Sequence, residues 1–148
     1  MKKKIAILGS TGSIGKTLID ILKKDKKDFK ILLLSTNKNL TLLLKQVKIF
    51  NVKNIVITDN KTYLIAKKKL NKSKISIYNN FNDLNKIFKS TKSDYTMNSI
   101  TGLNGLKPTL NIIQYSKKIA IANKESIICG WSLILKKLKK NKTEFIPI

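Results

Sequence analysis

The stretch Gly9-Ser10-Thr11-Gly12-Ser13-Ile14-Gly15 holds the residue types that a phosphate site needs, at a spacing that could form one. It follows a short apolar run, Ile5–Leu8, and precedes a helical pattern that opens at about Ser13 and continues from Thr17 to Leu22. A buried strand, a glycine turn and a helix start, in that order, give a glycine motif its weight. Glycine lets the backbone turn tightly and come close to a diphosphate. The helix start turns unpaired N–H groups and the positive end of its dipole toward the same anion. The spacing is Gly-x-x-Gly-x-x-Gly rather than Gly-x-Gly-x-x-Gly, and a tight strand-to-helix turn needs glycine on steric grounds alone. Nucleotide binding and a structural turn are therefore both readings of this stretch. A third takes Gly15-Lys16-Thr17 as the end of an ATP-binding P-loop, with Ile55–Asp59 as its metal-holding strand. That loop needs a glycine five positions before Gly15, and the chain has Ser10 there.

Two further loops carry chemistry. At the end of the second strand, an enzyme that prefers NAD places Asp or Glu against the adenosine ribose hydroxyls. Here Ser35-Thr36-Asn37-Lys38-Asn39 has no carboxylate and one Lys, which favours the 2′-phosphate of NADP. An ordinary polar loop is the plainer alternative. Asn123-Lys124-Glu125-Ser126 follows the strand pattern Lys118–Ala122 and opens a helix. Asn123 is a good cap, and Glu125 complements the dipole in the first turn. Lys124 is a cation where the dipole is least welcoming, and an anionic ligand would account for it.

The elements that must position these loops alternate between strand and helix. Apolar runs at Phe29–Leu34, Asn54–Ile57, Ile75–Tyr78, Asp94–Ile100 and Lys118–Ala122 read as strands, with Phe145–Ile148 as one more. Between them lie helical patterns at Leu40–Ile49, Lys61–Leu70, Phe81–Lys89, Leu106–Tyr115 and from Asn123 to about Lys140. Pro108 falls in a first turn, where proline is tolerated. Repeated β-α units imply an α/β domain: a doubly wound, mainly parallel sheet with helices on both faces. Ligands of such sheets sit beyond the carboxyl ends of the strands. Gly9–Gly15, Ser35–Asn39, Ile100–Gly105 and Asn123–Ser126 all lie there and are expected to converge on one ligand.

Composition narrows the classes. At 148 residues and 42 % hydrophobic, the chain fits one globular domain. The formal charge is +23, yet all 31 basic residues are Lys, without one Arg for bidentate base contacts. The Lys are spread along the chain and accompany abundant Asn and Ile, so solvated Lys is the plain reading, and no specific nucleic acid is expected. The charge should still give weak, salt-sensitive attraction to polyanions. Cys129 stands alone and there is no His, so neither a disulfide framework nor a thiol or imidazole metal site is expected. The four-residue apolar run after Met1-Lys2-Lys3-Lys4 is too short for a signal peptide core, and no run is long enough to span a membrane. The first strand begins almost at Met1, so a cytoplasmic protein without a transit peptide is expected.

Together, the Gly9–Gly15 loop, Asn37-Lys38-Asn39, the Gly102–Thr109 turn and Ala122–Ser126 resemble 1-deoxy-D-xylulose 5-phosphate reductoisomerase, over the whole chain, in order and at family spacing. The resemblance implies a Rossmann-like fold. It also implies the NADPH-dependent rearrangement and reduction that forms 2-C-methyl-D-erythritol 4-phosphate in isoprenoid precursor synthesis. By position, Thr11, Gly12, Ser13 and Ile14 fall on the family's diphosphate loop, and Asn37, Lys38 and Asn39 on its adenosine-phosphate loop. Asn123 and Glu125 fall on cofactor contacts, and Lys124 on a contact to the sugar phosphate substrate. Asn37 stands where the family usually has Gly, and Asn tolerates a left-handed backbone better than most residues. The family's divalent metal, Mg or Mn, is held by an Asp-x-Glu segment after a proline-containing strand, and the sequence stops at Pro147-Ile148 where that segment would begin. The expectation is an NADPH-binding domain over 1–148, with no metal ligand or catalytic residue of its own, inactive alone and homodimeric when complete. The alternatives are a stand-alone NADP-binding or regulatory module and, more weakly, a basic nucleic-acid-binding protein.

Overall fold

Ile5 and Ile7 belong to one layer of the core and Ala6 and Leu8 to the other. This is the alternation of a strand covered on both faces. In this computed structural model, which describes residues 1–148, these four lie in β1 (Lys3–Leu8). The other strands are β2 (Phe29–Thr36), β3 (Asn54–Ile57), β4 (Ser76–Tyr78), β5 (Tyr95–Asn98), β6 (Lys118–Ile121) and β7 (Glu144–Ile146). The helices are α1 (Ser13–Lys24), α2 (Leu40–Phe50), α3 (Asn60–Lys69), α4 (Leu84–Phe88), α5 (Leu106–Ile112) and α6 (Lys124–Asn141). The strands form one sheet in the order β4-β3-β2-β1-β5-β6-β7. Every pairing is parallel, so the expected doubly wound sheet is wholly rather than mainly parallel.

Each face of the sheet is closed by helices. Ile19 and Leu22 of α1, Leu43 and Val47 of α2 and Ala66 of α3 complete one apolar layer. Leu84 and Phe88 of α4, Ile112 of α5, and Ile134 and Leu138 of α6 complete the other. Leu32 and Leu33 break the alternation, since both belong to the second layer. The cause is a register shift in the β1–β2 pairing, where Ile5 faces Ile31 but Ala6 faces Leu33. The extra residue, Leu32, has a carbonyl that accepts from Asn54 Nδ2 at 3.2 Å.

Two helices are shorter than their hydrophobic patterns predict. The pattern over Phe81–Lys89 yields only Leu84–Phe88, because Asn80 Oδ1 takes the Asn82 N–H into a local turn. The pattern over Leu106–Tyr115 yields an α-helix to Ile112 and then a tighter 3-10 turn over Ile113–Tyr115.

The chain runs outward from β1 to β4, then returns to β1's other side as β5. The two strands whose connections diverge are therefore neighbours, and a crevice opens beyond their carboxyl ends. Their amino ends are tied by Asp94, which accepts from the Lys4 N–H and from Lys117 Nζ, both at 2.8 Å. The Lys117 bond, then the Lys4 bond, hold the Asp94 carboxyl below its usual pKa. A carboxylate depressed by folding adds stability above its unfolded pKa and loses it as pH falls through the folded one. Stability measured by urea denaturation should decline as pH drops below about 4, and Asp94→Asn should lower the midpoint at pH 7 while flattening that acid decline. A native acid limb in the variant would remove Asp94 from the account.

Candidate functional site

Gly9 leaves β1 with a positive φ of 76°, a conformation that favours glycine. A β-carbon there would meet the Ser99 carbonyl carbon and the Ile100 nitrogen at 3.0 Å, so the ends of β1 and β5 are in close backbone contact. Ser99 reinforces the junction, donating its hydroxyl to the carbonyls of Leu8 at 2.8 Å and Gly9 at 3.0 Å. At Gly15 a β-carbon would lie 2.3 Å from the Gly9 carbonyl oxygen and 2.6 Å from Ser10 Cα. Gly15 is glycine because the helix presses on the turn. Gly12 differs: it is exposed, extended at φ −76° and ψ 174°, and a β-carbon there would meet only the Gly9 oxygen, at an ordinary 3.5 Å. Nothing inside the protein asks for glycine at position 12.

Gly12 caps α1 without a side-chain hydrogen bond, and no acidic residue lies in the first turn. By contrast, Asn39 caps α2, Asp59 caps α3 and Asn123 caps α6. The first i−4 bond of α1 runs from the Lys16 N–H to the Gly12 carbonyl, 2.8 Å, so the N–H groups of Ser13, Ile14 and Gly15 precede the helical ladder. An uncapped, dipole-positive helix end beside an open backbone suits an anion.

That end borders a cleft of about 640 Å³ lined by the backbone turn of Gly9 and Gly12, by Thr36 and Asn37 at the end of β2, and by Ser99 to Thr101 after β5. Three of the four expected loops thus meet in one cavity. The fourth does not line it, but is tied to the third: Asn123, almost fully buried, donates Nδ2 to the carbonyls of Ile100 and Gly102 and accepts the Ser126 N–H at 2.7 Å. Lys124 and Glu125, exposed in the first turn of α6, stand outside the cavity lining, as do Ser13, Ile14, Lys38 and Asn39. Thr11 and Thr36 share a 2.6 Å hydrogen bond across the cleft floor.

Several lining residues carry no pattern that sequence reasoning could use. Asn79 to Asn82, following β4, and Asn111 of α5 are such residues, whereas Asn104 and Lys107, also in the lining, belong to the Gly102–Thr109 turn already singled out. The lining contains one charged side chain, Lys107, and no carboxylate. Asn98, fully buried at the end of β5, shapes the wall by donating Nδ2 to the Gly105 carbonyl at 2.9 Å and accepting the Ile100 N–H at 3.1 Å.

In the loop after β2, Asn37 donates Nδ2 to Thr58 Oγ1 at 2.8 Å. Its φ is not positive, so the left-handed turn anticipated at this position is absent and Asn is no handicap there. Asp59, the nearest acid along β3's end, is engaged: its Oδ2 takes both the Thr62 hydroxyl at 2.7 Å and the Thr62 N–H at 2.9 Å. These bonds first, and Lys38 and Lys61 after them, lower its pKa. The P-loop alternative fails. The helix already begins at Ser13, two residues before Gly15, which leaves too short a loop to wrap a phosphate, and Ser10 stands where that loop needs glycine.

Residues 5–130 match the family model described as 1-deoxy-D-xylulose 5-phosphate reductoisomerase. The chain belongs to that family. A curated reductoisomerase of Pelagibacter ubique is 60% identical over 147 residues, which are 99% of this chain and 38% of that protein. The solved reductoisomerase of Zymomonas mobilis in complex with NADPH superposes at a TM-score of 0.88 with 30% identity, over 100% of this chain and 39% of that one. A second solved reductoisomerase, in complex with NADPH, fosmidomycin and magnesium, gives 0.87 with 27% identity, over 98% and 36%. The reductoisomerase-family chain described here thus spans a little over a third of the length of these relatives.

The glycines make opposite predictions for stability. Gly15→Ala should cost ~1–3 kcal/mol, because the clashing atoms are backbone. Gly12→Val should shift it by no more than about 1 kcal/mol, the size of an N-cap change. Urea denaturation of both variants checks this, and a Gly12 variant as damaged as the Gly15 one would make both glycines steric.

Proposed function

We propose that residues 1–148 are the NADPH-binding domain of a reductoisomerase that converts 1-deoxy-D-xylulose 5-phosphate to 2-C-methyl-D-erythritol 4-phosphate. The metal-binding and catalytic parts lie in further sequence of the intact protein, as the share of its relatives that this chain spans suggests. The observation that carries the reading is Gly12, a residue with room for a side chain that borders a cleft and heads an uncapped helix. An approaching diphosphate supplies the missing reason for glycine there.

Thr11, Gly12, Ser13 and Ile14 surround the diphosphate in this reading. The N–H groups that begin α1 receive its charge, and the backbone at Gly12 gives it access. Asn37, Lys38 and Asn39 take the adenosine end, where Lys38 meets the 2′-phosphate and no carboxylate competes. Asn123 shapes the nicotinamide end from behind, through the carbonyls it holds, and Glu125 borders it. Lys124 faces the phosphate of the sugar substrate. When bound, NADPH supplies hydride, and this domain's part is to hold it in place.

A divalent metal does not fit the residues present. The eight carboxylates nowhere gather with one another or with Cys129 into a group of three, and there is no His. The intact enzyme is proposed to be a cytoplasmic homodimer. No helix of the chain is long and apolar enough to cross a membrane.

Two measurements follow. In fluorescence titrations the chain should bind NADPH more tightly than NADH. Lys38→Glu should erase that preference, weakening NADPH about ten-fold by removing a charge-assisted contact, and Gly12→Val should abolish binding with native far-UV circular dichroism. Equal affinity of the unmutated chain for both cofactors would sink the assignment of the Lys38 loop. Separately, with sugar phosphate and Mg²⁺ or Mn²⁺ added, NADPH consumption by the 148-residue chain should stay at background; metal-dependent turnover would show that its own residues form the active site.

A further inference from the structure

Gln46 is a polar residue in the apolar stripe of α2, between Leu43 and Val47, and it is almost fully buried. Burial of an amide is costly unless its donors and acceptors are met. Gln46 meets them on one residue. Its Oε1 accepts from Ser10 Oγ at 2.7 Å, and its Nε2 donates to the Ser10 carbonyl at 2.9 Å. Ser10 is itself fully buried in the middle of the glycine turn, with its N–H on the Ser35 carbonyl at 2.9 Å. Ser35 Oγ in turn accepts the Gly9 N–H at 2.8 Å. The turn is thereby held from both sides, by β2 and by α2.

Helix α2 also begins at the other end of the site. Its cap is Asn39, whose Oδ1 accepts the Leu42 N–H at 3.1 Å, so the helix starts directly after Asn37-Lys38-Asn39. Gln46 lies about two turns further on. One rigid element therefore carries the adenosine-phosphate loop at its start and grips the glycine turn along its side.

We propose that Gln46 is a positioning residue for the dinucleotide: it fixes Ser10, and through Ser10 the register of Thr11 and Gly12 against the diphosphate, relative to the loop at the adenosine end. This rests on the cofactor assignment made above. Gln46 touches no part of the cofactor. It keeps the two binding loops at the separation that one dinucleotide spans, so its loss falls on ligands that engage both loops.

The test compares NADPH with adenosine 2′-monophosphate, which lacks the diphosphate, on the whole chain. Gln46→Met keeps the side-chain length and removes both hydrogen bonds. The dissociation constant for NADPH should rise about ten-fold, and that for adenosine 2′-monophosphate, followed by NMR titration, should change by less than about two-fold. Far-UV circular dichroism is recorded in parallel. Ser10→Ala, which removes the hydroxyl and spares the bond from Nε2 to the carbonyl, should lie between the two, at about three-fold for NADPH. If Gln46→Met does not fold, Ser10→Ala decides by the same comparison. Unchanged NADPH affinity, or an equal loss for both ligands, overturns the proposal. Failure of the unmutated chain to bind NADPH overturns the cofactor assignment instead.

Discussion

The Gly9 carbonyl oxygen occupies the space where a β-carbon at position 15 would be. That approach lets α1 start after a turn of four residues beyond β1, with its cap, Gly12, at the edge of the cleft beyond β1 and β5. The positive φ at Gly9, the hydroxyl of Ser99 on two carbonyls and the Gln46–Ser10 pair all serve to keep this turn in one shape. Buried hydrogen bonds to backbone groups are worth most where a loop must hold still without regular pairing. Here they cluster on three consecutive residues, Leu8 to Ser10.

The rest of the fold sets the distance between the turn and the other loops. With β1 central and every pairing parallel, the carboxyl ends of β2, β1 and β5 lie side by side, and their loops meet in one cleft. The cleft is polar and free of carboxylates, with Lys107 as its single charged side chain. The surface outside carries most of the 31 Lys, so an anionic ligand meets a favourable field on approach and, Lys107 apart, neutral dipoles on arrival. In the proposed reading, affinity at the site depends on the N–H groups at the start of α1 more than on net charge, because the charge is screened beyond about 8 Å at physiological ionic strength.

The sheet can be read from the sequence because strands buried on both faces are written as continuous apolar runs, and the run Asn54–Ile57 coincides with β3. The glycine loop and the capped start at Asn123 were legible because their chemistry is local. What escaped depends on contacts distant in sequence. Gln46 looks like a surface residue until the fold brings Ser10 to it, 36 positions away in the chain. The Asn79–Asn82 wall has neither period nor motif, and its local turn cost the helix before Leu84. A glycine three residues from another is equally ambiguous: only the built backbone separates Gly15, where a side chain would clash, from Gly12, where it would not.

The central claim is that the backbone at the start of α1 is the diphosphate site. It is tested most directly by ¹H–¹⁵N correlation spectra of the chain during titration with NADPH. The amides of Gly12, Ser13, Ile14 and Gly15 should shift first and furthest, together with those of Asn37 and Lys38, while the amino ends of the strands stay in place. Saturable shifts that leave these four amides unmoved, or that centre on the lysine-rich last turn of α3, would contradict it.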